Sequence, residues 1–433
     1  LGVPAHRLAA GPAPDTLPSG VEGPPEGGGT AGRAREATDP GRPVELHGRV
    51  SLDFSALRST TRWGEGPDEA VDRSFNTPTF RLQARARHLP GGLALNTGVR
   101  LSHRTSPNSI VEPETSARIY QLDVEKRFQA VPLELHLGRF YNPFEEFSGY
   151  WDGLLVRVGP RSLGGGVAVG YEPARANEGF SSDRPKISGF VDFSTWGEGM
   201  AYDGSVSFLG IRPADGLPDR TALGLSQSLR IGAIWVHQRV QVDQDPGDSQ
   251  WTVSRLQLDG SLPIQGGLST FAGWRRWRSV PLWEGATALG PRMDRGYVGL
   301  SWFGGIGGGS VDLALQRPEE GDPGRTVSAS LFLNRALVGG IRLGAHGSHW
   351  ASGEENTLLL SPELRTSLGD LDIRGAYRFY RTSSVTQEIT THFGDLGFSV
   401  PLGVGVFFRL QGSGQWGGDL SSTRLFASLW KAF

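Results

Sequence analysis

From Val44 to Phe433 the hydrophobic residues of this chain recur with a period of two, nearly always on one side only. In VELHGRVSLDFSA, Leu46, Gly48, Val50, Leu52 and Phe54 fall on one face; Glu45, His47, Arg49, Ser51, Asp53 and Ser55 fall on the other. Successive side chains of a β-strand point to opposite faces, so this is a strand with one apolar and one polar face. TFRLQARARHL repeats the pattern, with Phe80, Leu82, Ala84 and Ala86 against Arg81, Gln83, Arg85 and Arg87. So do AIWVHQRVQV, LDIRGAYRFY and GVGVFFRLQGSGQW, where Arg239, Arg374, Arg378 and Arg409 take the polar side. A soluble sandwich or propeller of this size needs central strands that are apolar on both faces, and the sequence offers none. A barrel in a membrane needs none either, because its apolar face meets lipid and its polar face a wet lumen. No stretch approaches the roughly 18 apolar residues of a spanning helix.

The alternation resolves into 22 segments. They lie near 44–57, 78–89, 92–104, 117–128, 132–141, 151–159, 163–172, 186–195, 200–211, 220–231 and 232–243. The second half follows at 251–262, 267–278, 293–303, 308–317, 325–334, 338–350, 356–368, 370–381, 389–400, 403–416 and 423–433. A tilted strand crosses the hydrocarbon with roughly 9–11 residues, so each segment is long enough. The edges of 293–303 and 389–400 are the least marked, which leaves 20 or 24 strands as alternatives. Connections at 89–92, 129–131, 159–163, 263–267, 367–371 and 401–403 are tight. Those at 58–77, 105–116, 173–185, 244–250, 279–292 and 382–388 are longer and polar. The fold class predicted for residues 43–433 is therefore all-β, a transmembrane antiparallel β-barrel with short periplasmic turns and longer extracellular loops. A barrel this wide encloses a large lumen, so a selective one needs a constriction. Loops 58–77, 105–116, 173–185 and 279–292 are the candidates.

Residues 1–42 are dense in proline and glycine and carry no aromatic residue, so they read as a flexible periplasmic tail. The tail is too short for a folded plug. The chain opens on Leu1, and an export signal removed upstream is expected. Composition agrees with a one-sided strand pattern: 37% of residues are hydrophobic, and 63 of 433 are glycine, placed in turns and tightly curved wall. With no cysteine, disulfide scaffolds, zinc ribbons and cysteine nucleophiles are excluded. A formal charge of −2 gives no reason to expect nucleic acid as a partner.

The last strand, TRLFASLWKAF, resembles those of Gram-negative outer-membrane β-barrels of the porin type. The resemblance implies an assembly signal in Phe433 with Leu429, Ala427 and Leu425 at alternate positions, read by the barrel-assembly machinery. Lys431 departs from the family pattern, with Trp430 beside it as compensation and the lysine snorkelling to the interface. LGRFYNPFEEFSGYWDGLLVRV (137–158) is also similar to the strand–loop–strand text of that family. An outer-membrane location, with outer-membrane lipid around the barrel, follows from the resemblance.

Projecting the alternation inward lines the lumen with Arg49, Arg81, Arg85, Arg87, Arg100, Arg104, Arg127, Arg157, Arg239, Arg374, Arg378 and Arg409. Among the acids facing them are Asp53, Asp123, Glu125, Glu134, Asp192, Asp243, Asp259, Glu363 and Asp372. One reading is an anion-preferring pore, with Arg81, Arg85 and Arg87 facing Arg100 and Arg104 as its attracting strip. The other is a wall of ion-pair ladders; of 43 basic residues only Lys126, Lys186 and Lys431 are lysine, so arginine is the default base here. Trp416, Trp350, Trp302, Trp274, Trp251, Trp196 and Tyr150 sit near strand ends, where such rings favour the membrane boundary. Inward aromatics (Trp235, Phe271, Trp277, Phe332, Phe407) are too dispersed for a stacking track. His346 and Ser348 share a face, but no catalytic set, metal spacing or cofactor fingerprint is found, so neither an enzyme nor a cofactor is expected. The function that follows is diffusion of small hydrophilic solutes; the alternative is the barrel of an export or assembly complex with a periplasmic partner. The oligomeric state is not legible.

Overall fold

The structure is a computed structural model that describes residues 43–433 apart from 63–69, 107–111, 129, 146–148, 175–178, 213–218, 246–248, 279–288, 334–339, 386 and 418–419. The tail expectation for residues 1–42 therefore lies outside the described residues. The strands of the first half are β1 (Glu45–Arg62), β2 (Ala70–Leu89), β3 (Leu93–Arg104), β4 (Glu114–Phe128), β5 (Leu133–Tyr141), β6 (Tyr150–Val158), β7 (Leu163–Tyr171), β8 (Pro185–Gly197), β9 (Met200–Ile211), β10 (Arg220–Ile231) and β11 (Ile234–Gln244). The second half comprises β12 (Trp251–Gln265), β13 (Leu268–Arg278), β14 (Arg292–Phe303), β15 (Gly307–Pro318), β16 (Gly324–Leu333), β17 (Arg342–Ser352), β18 (Glu355–Leu368), β19 (Leu371–Ser383), β20 (Glu388–Gly403), β21 (Val406–Trp416) and β22 (Leu420–Ala432). Each pairs antiparallel with its sequence neighbours, and β22 returns to β1, so the 22 predicted segments form one closed barrel.

Closure runs from Arg49 opposite Ala432 to Thr61 opposite Leu420. Below it, Gly48 and Phe433 exchange both backbone hydrogen bonds, at 2.8 and 3.0 Å. The Phe433 ring lies against Gly48, where an added Cβ would come within 2.7 Å of the ring and 2.6 Å of the Gln83 carbonyl oxygen. Leu425, Leu429 and Phe433 sit on the lipid register, each about two-fifths exposed. Trp430 does not stand with Lys431 at the interface. Its register is opposite Ser51 and Phe407, inside the barrel, where it stacks on Phe407 at 5.4 Å and lies under Arg49 at 4.7 Å.

Burial separates the two faces of the wall. On β1, Leu52 is 59% exposed while its neighbours Ser51 and Asp53 are 5% and 8% exposed. A soluble protein would reverse this, but a strand between lipid and a packed polar lumen requires it. Trp251, Trp274, Trp302, Trp416 and Tyr150 lie on the lipid register as expected; Trp350 and Trp196 occupy the lumen register, Trp350 opposite Thr326 and Thr357.

The connections differ from expectation at the rim. The segment 58–77 is largely strand, because β1 and β2 stay paired up to Arg62 opposite Ala70. Above the lipid neither face needs to be apolar, so the alternation fades while backbone pairing continues. Likewise β4 begins at Glu114, shortening the predicted 105–116 loop. The centres of these two loops, and parts of 173–185 and 279–292, lie outside the described residues. By contrast β5, β6 and β7 have nine residues each, so the rim is lowest there.

A gap opens beside that low rim. Pairing of β4 with β5 stops at Leu122 opposite Arg139, while β4 continues upward. Arg139 fills the gap: Nη1 donates to the Ile119 carbonyl at 2.6 Å, and Nε and Nη2 each bond Asp152 at 2.5 Å. Both partners are on the lipid register, yet their side chains are only 7% and 10% exposed. Breaking a buried pair costs about 3–5 kcal/mol, so Asp152→Asn lowers the temperature at which the barrel loses its compact gel migration. Gly48→Val acts at the seam instead: overpacking costs about 1–3 kcal/mol, read as the same downward shift and as a smaller folded fraction.

Candidate functional site

The lumen wall is held by ion pairs between inward side chains. Asp53 lies 3.2 Å from Arg81, and Glu125 lies 3.2 Å from Arg85. Arg127 bridges Glu125 at 2.7 Å and Glu134 at 3.0 Å; Glu134 also meets His136 at 3.0 Å. Asp123 accepts from Asn96 at 3.0 Å and from Gln121 at 2.7 Å. Further round, Arg157 pairs with Asp192 at 2.7 Å, Arg220 with Asp243 at 2.9 Å, Arg374 with Glu363 at 2.9 Å and Arg378 with Asp395 at 2.8 Å. Arg409 donates to Gln411 at 3.2 Å. For Arg85, Arg127, Arg157, Arg374 and Arg378 the ladder reading thus describes the geometry. Glu125, Glu134 and His136 carry ligand atoms within 4.8 Å of one another, but Arg127 joins the two carboxylates and balances their charge.

The predicted strip of Arg81, Arg85, Arg87, Arg100 and Arg104 does not form as one unit. Arg85 stands opposite Asn96, Arg87 opposite Glu45 near the periplasmic turn, and Arg104 lies 3.8 Å over the Phe75 ring near the outer end. What forms is a transverse row of Arg81 opposite Arg100 and Arg100 opposite Arg118. Plain alternation puts Arg118 on the lipid side. A β-bulge corrects it: pairing steps from Gly98–Gln121 to Val99–Ile119, leaving Tyr120 unpaired and reversing the faces above it. Directly opposed like charges destabilise a sheet, yet three guanidinium groups stand in register here. The Nε of Arg100 is buried without a hydrogen-bond acceptor among the described residues.

Across the ring one level of the wall is uncharged, while Arg275 stands opposite Arg295, and Arg342, Arg365 and Arg374 stand in register, at other levels of the same lumen face. Ser269, Ser301, Ser310, Ser330, His346 and Ser361 form one inward row from β13 to β18, each opposite the next. Two hydroxyl pairs close at 2.7 Å, Ser269 with Ser301 and Ser310 with Ser330. His346 and Ser348 share this inner face as predicted, and no hydrogen bond joins His346 to a serine among the described residues.

The described segment that turns onto the inner wall follows β5, at residues 142–145, and was not among the predicted candidates for a constriction. Past Tyr141 the chain turns at Asn142, whose carbonyl accepts from the Glu145 N–H at 3.3 Å and whose Oδ1 accepts from the Phe144 N–H at 3.1 Å. Phe144 then stacks on Phe190 of β8, centroids 4.6 Å apart and planes 7° apart, with Arg157 5.4 Å over it. Phe190 belongs to an apolar patch on the lumen face of β5–β10, formed with Phe140, Trp151, Leu155, Ala168, Leu209, Ile211 and Ala222. Gly166 makes room for it, since a Cβ there would come within 2.6 Å of the Phe190 ring. Lys186 fixes the other side: Nζ lies 4.3 Å over Trp151 and donates to the Tyr150 carbonyl at 3.2 Å, with Glu145 and Glu172 as its acidic neighbours. The segment thus folds onto the inner wall where the rim is lowest. Its signal in the sequence is the run of apolar residues on the lumen register (Phe140, Trp151, Phe190) flanking YNPFEEF.

An aromatic stack of this kind is worth about 1 kcal/mol beyond its buried area, or roughly a five-fold shift in an equilibrium. Phe144→Ala should therefore release the segment, raising single-channel conductance and its noise, while gel migration of the folded barrel is unchanged.

No family model and no curated protein matches the chain. Among solved structures it is similar to Pseudomonas aeruginosa OccK2 (OpdF) in complex with glucuronate, at TM-score 0.43 and 11% identity over 90% of this chain and 98% of that one. It is also similar to a BenF-like porin from Pseudomonas fluorescens Pf-5, at TM-score 0.45 and 7% identity over 90% of this chain and 99% of that one. A third is Pseudomonas aeruginosa OpdK with vanillate, at 0.43 and 8% over 89% and 99%. Strand pairing, closure and an outward apolar band give the chain the architecture of a porin-type outer-membrane β-barrel of 22 strands.

Proposed function

We propose that the barrel is an outer-membrane channel for passive diffusion of small hydrophilic solutes, with a preference for anions. The observation that carries the reading is the row Arg81–Arg100–Arg118, three like charges held in register on the lumen face. Local conflicts of this kind concentrate at functional sites, where recognition outweighs folding economy. A carboxylate passing the row would meet forked guanidinium donors, while the serine row offers hydroxyl partners and no competing charge. The inward segment around Phe144 narrows the path next to the low rim, so solutes pass between it and the arginine row.

Single-channel recording of the purified barrel in a planar bilayer tests this. Stable conducting steps are expected, with a reversal potential of the sign for anion selectivity in a salt gradient. Preference should weaken as salt rises, because screening shortens to about 10 Å at 0.1 M and 3 Å at 1 M. A unit charge about 7 Å from the path in water favours an anion and disfavours a cation by roughly 0.6 kcal/mol each, so Arg100→Gln or Arg118→Gln should each lower the anion-to-cation permeability ratio by up to about seven-fold. A barrel that conducts only when a periplasmic partner is added would overturn the reading in favour of an export or assembly role.

A further inference from the structure

A second concentration of arginine lies on the outside of the barrel. At the extracellular ends of β13–β16, Arg276 is opposite Asp294, Asp294 opposite Arg317, Arg278 opposite Arg292, and Arg325 opposite Leu315. Trp274, Val298, Leu313 and Leu315 share this face and are exposed, so these arginines face lipid. They stand just above the apolar band, where a lipid-face arginine meets headgroups.

Their charges are unevenly matched. Arg276 bonds Asp294 at 2.6 and 3.4 Å and lies 5.2 Å over Trp274. Arg292 lies 3.1 Å from the same carboxylate, and Arg278 lies 3.2 Å from Glu319. Glu320 and Asp322 follow on the turn into β16. Arg317 and Arg325 are exposed and have no carboxylate within ion-pair distance among the described residues.

Beneath them the same strands form an apolar groove of about 550 Å³, with Leu300, Val311, Ala329, Leu331, Gly347 and Leu360 on its lipid side. The small residues Ala329 and Gly347 make it concave. On β16 only Val327 separates Ala329 from Arg325 along this face, a distance of about 13 Å at roughly 3.3 Å per residue. A pair of uncommitted guanidinium groups at the headgroup level, above an apolar trough running along the wall, matches an anionic head joined to an acyl chain.

We propose that this face holds a phosphorylated lipid of the outer leaflet, its phosphate on Arg317 and Arg325 and an acyl chain in the groove. The guanidinium fork suits phosphate oxygens, and a low-dielectric surround strengthens the bond. The site is independent of permeation, since none of its side chains faces the lumen.

The test is native mass spectrometry of the full-length barrel exchanged into mixed micelles of neutral detergent with dioleoyl phosphatidic acid or dioleoyl phosphatidylcholine. Phosphatidic acid is expected to remain bound, and phosphatidylcholine to be retained about ten-fold less. The double variant Arg317→Gln with Arg325→Gln should lose phosphatidic acid by a similar factor while keeping the folded gel migration. Arg381→Gln, which alters a rim arginine paired with Glu388, should leave retention unchanged. Equal retention of the two lipids, or an unaffected double variant, overturns the proposal. Displacement of the lipid by millimolar inorganic phosphate would mark a free-phosphate site and also overturn it.

Discussion

Every part of this molecule depends on one requirement: in hydrocarbon, each backbone N–H and C=O must find its partner within the protein. Strands meet it only if the sheet has no edge, and the pairing of β1 with β22 removes the last one. Once closure is imposed, the side chains divide without remainder into a lipid set and a lumen set. The places where the wall departs from a simple ladder are then the informative ones. At the β4–β5 gap a side chain, Arg139, supplies the hydrogen bond that a strand would have given to Ile119.

The lumen shows the opposite economy. Most of its charges are neutralised in place, so the wall is wet but close to electrically quiet over much of its circumference. A second row, Arg342–Arg365–Arg374, is opposed in the same way, but Arg365 and Arg374 both pair with Glu363 there. The row on β2–β4 opposes its members directly, with Asp53 against Arg81. Such a local imbalance is what the proposed anion preference rests on, and Phe144 packs onto the same inner wall.

The fold was legible in the sequence because period-two patterning is enforced wherever lipid touches the wall. It became less legible where that enforcement lapses. Above the membrane β1 and β2 run on with no apolar face, so 58–77 looked like a loop. Arg118 was not among the predicted lumen residues because a bulge leaves no compositional trace; Tyr120 is an ordinary strand residue. Trp430 was read by its neighbour Lys431, and the register puts the two on opposite faces. The inward turn at Asn142 rests on contacts among Phe144, Phe190 and Lys186, which are far apart in the chain and meet only after β8 is in place.

The bulge at Tyr120 has an evolutionary consequence. Because the bulge decides which way Arg118 points, the number of guanidinium groups in the row depends on where the backbone slips as well as on side-chain identity. Pairing Tyr120 with Val99 instead of bulging it would turn Glu114, Ser116 and Arg118 toward lipid and bring Thr115, Ala117 and Ile119 into the pore, whereas deleting Tyr120 would restore plain alternation with Arg118 still opposite Arg100. Channels on this scaffold can therefore diverge in what lines the pore by gaining, losing or moving a bulge, a route that a comparison of aligned substitutions would miss.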